Sequence, residues 1–257
     1  MTIAETFVAY QTILRKEIIR FLRIWMQTLL PPMITQSLYF VIFGTFIGSQ
    51  IRDIQGVSYM AFIVPGLVMM AVINSSFSNV VSSFFGAKFQ RNIEELMVSP
   101  TPSWVVIAGF ISGGMARGLL VGLVVFGVSV FFTQPVISHF FIILMFIVLT
   151  SLVFSLGGLI NGIFGRKFDD ISIFPTFVLT PLTYLGGVFY SIKDLPEFWQ
   201  AVSRLNPILY MVDGFRYGFY GISDVSIWIS ASILVFFTVL LIGINLFLLR
   251  KGIGLKS

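Results

Sequence analysis

The side chains able to do chemistry in this 257-residue chain are few: one His, no Cys, 11 Asp and Glu together, and 16 Lys and Arg. His139 has no carboxylate near it in sequence, so a Ser-His pair or a His-based metal site would have to be built around it alone. The paired carboxylates are Glu94-Glu95 and Asp169-Asp170. Neighbours on a helix point about a third of a turn apart, so neither pair converges on a substrate. Basic residues flank both pairs, which reads as solvated loops. No Gly-x-x-x-x-Gly-Lys-Ser/Thr occurs, and Gly162-Ile163-Phe164-Gly165-Arg166-Lys167 lacks the spacing, so the chain has no P-loop for ATP. The expectation is a non-enzyme without catalytic residues, cofactor or metal.

The elements that carry these residues are apolar. Charged side chains make up 11% of the chain and hydrophobic ones 57%, against about 25% charged in a soluble domain. Six stretches contain no charge at all: 24–51, 54–87, 96–116, 118–165, 171–192 and 225–249. About 20 apolar residues cross a bilayer as a helix, so each stretch is long enough. The pattern predicts an all-α polytopic membrane protein with six transmembrane helices, at about 25–48, 59–84, 104–132, 140–164, 171–190 and 227–249. The first run passes twenty residues and ends in Gly48-Ser49-Gln50 without a small-residue cleavage pattern, so it reads as a retained span and not a signal peptide.

Six crossings put both termini on one side, and Lys and Arg in short loops accumulate in the cytoplasm. One side holds Arg15, Lys16, Arg20, Arg23, Lys88, Arg91, Arg166, Lys167, Arg250, Lys251 and Lys256. The other holds Arg52, Lys193, Arg204 and Arg216, which predicts cytoplasmic termini. The net charge of +5 is then a topological signal, and no nucleic-acid partner is expected. Arg117 stands apart, within the third span. It lies 13 residues from Trp104, about 20 Å along a helix, too deep to reach the cytoplasmic headgroups unstrained. It should face protein or a water-filled cavity, with no partner assigned.

Two amphipathic segments lie outside the spans on the basic side. Phe7, Tyr10, Leu14, Ile18, Phe21 and Trp25 recur at helical steps among Arg15, Lys16, Arg20 and Arg23, which suits an interfacial helix over 1–24. Phe85, Phe89, Ile93 and Leu96 form a second stripe, with Lys88, Arg91, Glu94 and Glu95 as its polar face and Pro100 and Pro102 as its stop. Periodicity alone fits a docking element or a solvated loop helix.

Between the fifth and sixth spans, 191–226 is too apolar for a solvated loop, yet its seven charges forbid a crossing. Asn206-Pro207 divides it into two pieces of about a dozen residues, too short to span, which predicts a re-entrant or interfacial hairpin on the outer face. Asp213 and Arg216, three apart, are positioned to meet on one helix face. With the aromatic rim, Tyr210 and Tyr217 especially, they could hold an outer gate; the alternative is an anchor for the flanking spans. Gly109, Gly113, Gly114, Gly118 and Gly122 in the third span and Gly158 and Gly162 in the fourth are spaced for close helix packing.

Three segments carry a resemblance. Gln90-Arg91-Asn92-Ile93-Glu94-Glu95-Leu96-Met97-Val98-Ser99-Pro100 is similar to the segment R-x-x-G-T-x-E-x-L-x-x-S-P after the second span of ABC-2 permeases of the ATP-binding-cassette class. Leu185-Gly186-Gly187-Val188-Phe189-Tyr190 resembles the L-S-G-x-F-x end of their fifth span. Asn206-Pro207-Ile208-Leu209-Tyr210-Met211-Val212-Asp213-Gly214-Phe215-Arg216 resembles N-P-x-x-Y-x-x-[DE]-x-x-R. The departures are Asn92-Ile93 for Gly-Thr, Gly186 for Ser, and Ser191 where Pro is frequent. The resemblance covers essentially the whole chain.

The resemblance implies one transmembrane domain over 1–257, with spans one to five in 25–190, the hairpin in 191–226, span six in 227–249 and a cytoplasmic tail in 250–257. It implies a homodimer of permeases with two copies of an ABC ATPase subunit, in a bacterial inner membrane. Lys88, Phe89, Arg91, Ile93, Glu94 and Glu95 would form the ATPase-coupling segment, with Phe89 and Ile93 as apolar anchors. Gly187, Asn206, Pro207, Tyr210, Asp213, Arg216 and Tyr217 would belong to the outer gate. The function implied is ATP-driven export; an aromatic, mostly uncharged path is compatible with a drug, a lipid, a polysaccharide carrier or a peptide, which makes an amphipathic or lipid-like substrate the expectation. An ion-coupled secondary carrier and a non-transporting membrane scaffold are the alternatives.

Overall fold

A helix that is apolar on every side can only be satisfied inside a bundle, and α3 (Tyr59–Phe89, 31 residues) takes that place in the computed structural model. Residues 1–51 and 53–254 are described; Arg52 and Lys256, both counted in the charge asymmetry, lie outside them. The described chain is helical, without a β-strand and with one isolated bridge between Ile54 and Val57.

The chain enters through α1 (Ile3–Arg23), capped by Thr2 and Glu5, which satisfy each other's first-turn N–H groups. It breaks at Ile24, where the Thr28 hydroxyl lies within hydrogen-bonding reach of the carbonyls of Phe21, Ile24 and Trp25. The first span begins as α2 (Trp25–Tyr39), widens into a π-helical segment (Phe40–Ile47), and ends at Gln50. After α3 come α4 (Asn92–Val98), α5 (Ser103–Ser129) and α6 (Phe140–Phe164). Next is a broken helix: α7 (Phe168–Phe174), a π-helical turn (Pro175–Leu179) and α8 (Thr180–Tyr184). The outer segment is α9 (Glu197–Arg204) and α10 (Pro207–Tyr220), and the last span is α11 (Ile227–Lys251).

Five of these helices are long and apolar enough to cross a membrane: Trp25–Gln50, Tyr59–Phe89, Ser103–Ser129, Phe140–Phe164 and Ile227–Lys251. The expected fifth span, 171–190, takes a different form. Its helical run, 168–184, covers about 25 Å at 1.5 Å per residue, short of the roughly 30 Å hydrocarbon core. Pro175 and Pro181 remove backbone donors, and the hydroxyls of Thr180 and Thr183 donate to the carbonyls of Pro175 and Leu179 inside it.

Glycines set the spacing of the bundle. Gly114, Gly118 and Gly122 press α5 on Val80, Ser76 and Val72 of α3, and a Cβ on Gly158 of α6 would lie 2.6 Å from the Phe77 carbonyl oxygen. Gly109 and Gly113, on the neighbouring face of α5, receive Ile13 and Glu17 of α1. The face that α1 turns inward is therefore Ile13, Glu17 and Phe21; of these only Phe21 belongs to the stripe from Phe7 to Trp25, whose two ends are exposed. Ile13 and Glu17, four apart, meet Gly109 and Gly113, also four apart, and Tyr10 is bonded to Ser112 at 2.9 Å, so α1 runs beside the first half of α5.

Candidate functional site

The segment expected to couple to an ATPase is an elbow, not one continuous amphipathic helix. α3 carries Lys88 and Phe89 to its end, the chain turns through Arg91 at φ +61°, and α4 starts again at Asn92. A left-handed residue ends helical hydrogen bonding, which splits the expected stripe in two. Lys88 Nζ donates to the carbonyls of Ile163 (2.6 Å) and Gly165 (2.9 Å), capping the carbonyl-rich end of α6 with a positive charge. Phe89 stacks edge-on against Phe168 of α7 at 5.0 Å, as does Phe85. Ile93 is 2% exposed, in the cluster with Phe84, Phe110 and Ile163. It anchors α4 to its own bundle, a buried place where the sequence suggested a second apolar anchor for a partner. What faces outward is Phe89, 60% exposed, with Arg91, Glu94 and Glu95. Beside them lies a cleft of about 840 Å³ lined in part by Phe89, Arg91, Phe164, Arg166 and Ile253. Its far wall is ordered by Asp170, which accepts the N–H groups of Arg166 and Lys167, both at 3.0 Å. Those two bonds hold the Asp170 carboxyl below the usual carboxylate range.

Arg117 is partly buried, and its Nε is enclosed by protein with no hydrogen-bond partner among the described residues. The groups nearby were not legible as a site. Glu17 is 0% exposed; Ser83 Oγ donates to its Oε1 at 2.6 Å and Arg20 Nη2 lies 3.2 Å from its Oε2. The same Arg20 nitrogen donates to the Asn79 carbonyl (3.0 Å) and Oδ1 (2.8 Å). The signal that finds Glu17 is register: four residues after Ile13, it matches Gly113, four after Gly109.

In the hairpin expected on the outer face, Asp213 and Arg216 are both buried, 1% and 2% exposed, but they do not form the expected ion pair. Arg216 Nη2 donates to the Gly187 carbonyl at 2.7 Å, its Nε reaches the Phe62 carbonyl at 3.4 Å, and its guanidinium covers the Phe62 ring. Asp213 accepts the N–H groups of Asp224 (2.8 Å) and Val225 (3.0 Å). Each side chain satisfies backbone groups that a broken span and a buried loop leave open, and those groups outcompete the pairing on one helix face. Gly187 supplies its carbonyl from φ +71°, a backbone that suits glycine.

The Asn-Pro junction makes the same connection. Asn206 caps α10 by accepting from Ile208 N (3.0 Å) and donates to the Leu182 carbonyl of α8 (2.6 Å). Pro207 occupies the first helical position, where no donor is needed. Tyr210 donates to the Arg204 carbonyl at 2.7 Å, and Tyr217 stacks on His139 at 5.1 Å.

Asp224, read in sequence only as one charge forbidding a span, is a hub. Its carboxylate accepts from Ser191 Oγ (2.9 and 2.8 Å), Ile192 N (2.9 Å) and Gln55 Nε2 (2.8 Å), with Lys193 Nζ at 3.5 Å. Burial pushes this carboxyl up, but the bonds from Ser191, Ile192 and Gln55 outweigh it and leave it below the ordinary range.

Residues 8–220 match the family described as ABC-2 type transporter, a span that ends on the last residue of α10. The chain is 57% identical over 251 residues to inner membrane transport permease YadH of Escherichia coli (strain K12), covering 98% of each chain. It is 21% identical over 212 residues to nodulation protein J of Rhizobium leguminosarum bv. viciae, covering 81% of each. A nodulation protein J of Sinorhizobium fredii (strain NBRC 101917 / NGR234) is 24% identical over 191 residues, covering 70% of this chain and 68% of that one.

Proposed function

Because the chain belongs to the ABC-2 type transporter family, we propose that this transport permease is the membrane half of an ATP-driven exporter in a bacterial inner membrane. Two copies would pair and take two copies of a separate ATPase subunit. Each copy would cross six times, the short α7–α8 run being the fifth crossing, with both termini in the cytoplasm. Substrate is amphipathic or lipid-like in this reading, since the helices are aromatic and mostly uncharged.

The observation that carries the reading is the linkage of the elbow. Phe89, Arg91, Glu94 and Glu95 form its outward surface, while Lys88 grips the end of α6 and Phe85 and Phe89 contact α7. A nucleotide-driven movement of an ATPase docked there would be passed to α6 and α7 together and bias one arrangement of the bundle over another. At the other end, the α9–α10 hairpin is tied to α8 and to the Gly187 turn, which suits a cap on the outward route.

The test is whether an ATPase encoded next to the chain is found and co-purifies with it, followed by a screen for compounds that stimulate its ATP turnover. An ATPase that neither co-purifies nor responds defeats the reading. Arg117, an ionisable group within the third long helix, is the observation favouring an ion-coupled carrier, because such carriers place ionisable groups at membrane depth. Transport that persists without ATP and stops when the proton gradient is collapsed would select that alternative.

A further inference from the structure

Three of the long helices end at one cleft. α3 stops at Phe89 and α6 at Phe164, and the turn that follows α11 adds Ile253. The cleft holds about 840 Å³, inside the roughly 300–1,000 Å³ range of small-molecule sites. Its described lining carries three cations, Lys88, Arg91 and Arg166, and no carboxylate. Among the described residues, none of the three takes part in an ion pair. Asp170 lies close by in sequence, but its Oδ2 accepts the backbone N–H groups of Arg166 and Lys167 and pairs with neither side chain.

One of the three charges is already used. Lys88 turns its ammonium to the Ile163 and Gly165 carbonyls and so answers the negative end of α6. Arg91 and Arg166 are exposed and left with no acidic partner. Two guanidiniums at one cleft suit a phosphate, whose oxygens accept their forked donors. Beside them Phe89, Phe164 and Ile253 are 60%, 55% and 39% exposed, an apolar rim that a purely hydrophilic anion would leave uncovered.

Depth points the same way. α3 is 31 residues, about 46 Å at 1.5 Å per residue, and α6 is 25 residues, about 37 Å, against a hydrocarbon core of roughly 30 Å. Centred on the bilayer, they overshoot that core by about 8 Å and about 4 Å at each end. The headgroup zone is about 5–8 Å deep on each side, so the ends at Phe89 and Phe164 bracket it. Basic pockets between membrane helices take acidic lipid headgroups.

We infer that this cleft binds an anionic phospholipid, with Arg91 and Arg166 on the phosphate oxygens and Phe89, Phe164 and Ile253 against the carbons next to it. The inference requires only that α3 and α6 cross the bilayer, whichever end is cytoplasmic, and involves no ATPase. It and the exporter reading therefore fail separately.

The experiment uses the full chain in detergent, without ATPase, titrated with short-chain phosphatidylglycerol, short-chain phosphatidylcholine or inorganic phosphate. Native mass spectrometry and thermal unfolding read the binding. The wild type should bind phosphatidylglycerol at least tenfold more tightly than phosphatidylcholine. Arg91→Gln combined with Arg166→Gln should bring that preference below twofold. Arg15→Gln combined with Lys16→Gln, which removes the same charge from exposed positions on α1, should keep it. If the first double variant does not fold, Arg166→Gln alone should at least halve the preference. Equal affinity of the wild type for the two lipids overturns the inference, as does an unchanged preference in the folded cleft variant. An equal loss in the α1 variant would assign the preference to net charge and overturn the site. Displacement by inorganic phosphate at concentrations comparable to the lipid would overturn the lipid assignment. A glutamate-rich peptide that binds the cleft while the lipids are not distinguished would assign it to an acidic protein segment instead.

Discussion

The guanidinium of Arg216 lies 3.8 Å over the centre of the Phe62 ring, joining the outer hairpin to the central helix. Its hydrogen bond to Gly187 ties the same side chain to the end of the α7–α8 run. Arg216→Met should therefore leave the Gly187 carbonyl without its donor, at about 1–3 kcal/mol, and lose the cover over the Phe62 ring. Arg216→Lys should recover only part, because an ammonium lacks the planar fork and stacks less well. Thermal unfolding of the purified chain in detergent measures both.

Asp213→Ala should lower stability, because the N–H groups of Asp224 and Val225 lose their acceptors. Asp213→Asn keeps an acceptor oxygen and should lose less. If the hairpin is a gate, well-assembled Asp213→Ala should also show raised basal leak or ATP turnover uncoupled from export. Assembly, ATP turnover and vesicle transport measured on one preparation separate anchor from gate, and unchanged coupling defeats the gate.

At the elbow, Glu94→Arg or Arg91→Glu should leave insertion intact and weaken the ATPase complex, since interfacial charges set register and partner choice. Phe89→Ala should weaken ATPase binding by about 1–3 kcal/mol if it is a central anchor. Ile93→Ala should behave differently, costing about 2–5 kcal/mol of fold stability as a core truncation. A pull-down beside an unfolding curve distinguishes the two kinds of loss.

Asp224 gives a pH dependence. Its carboxyl is held below the ordinary value near 3.9 by Ser191, Ile192 and Gln55. A depressed folded-state value means the contribution is fully present above the unfolded value and is lost as pH falls through the folded one. The melting temperature should therefore drop below about pH 4. Asp224→Asn should be less stable at pH 7 and flatter on the acid side. An equally steep acid limb in Asp224→Asn would assign the effect to other groups.

A Cβ on Gly158 would meet the Phe77 backbone, while one on Gly127 would meet nothing within 4 Å. Gly158→Ala should push α6 off α3 and cost about 1–3 kcal/mol. Gly127→Ala should be neutral or slightly stabilising, because alanine is the better helix former. Paired melting curves test this.

The sequence shows most where the physics is local. Uncharged runs bound the five long helices to within a few residues at most ends, and Asn206-Pro207 marks the joint between α9 and α10 because it caps one helix and ends the other. It fails where two environments compete for one helix. α1 has apolar residues on more than one side, and only the glycine ladder of α5 selects Ile13 and Glu17, whose face Phe21 continues. Arg91 gives no warning of a left-handed turn, since that backbone favours glycine or asparagine. The spacing of Asp213 and Arg216 suggested a pair, but which backbone groups nearby go unsatisfied is a property of the fold.

Lys88 draws both its acceptors from residues 75 and 77 positions further along the chain. In a protein made from its N-terminus, the elbow therefore cannot take its final shape when α3 and α4 leave the ribosome. It waits for α5 and α6 to be synthesised and inserted, about 4–15 s later at bacterial-scale elongation of roughly 5–20 residues per second. A half-made permease would present Phe89, Arg91, Glu94 and Glu95 without the α6 clamp that sets their angle. Assembly is thereby ordered in time, with the bundle closing before the surface of the elbow takes its final form.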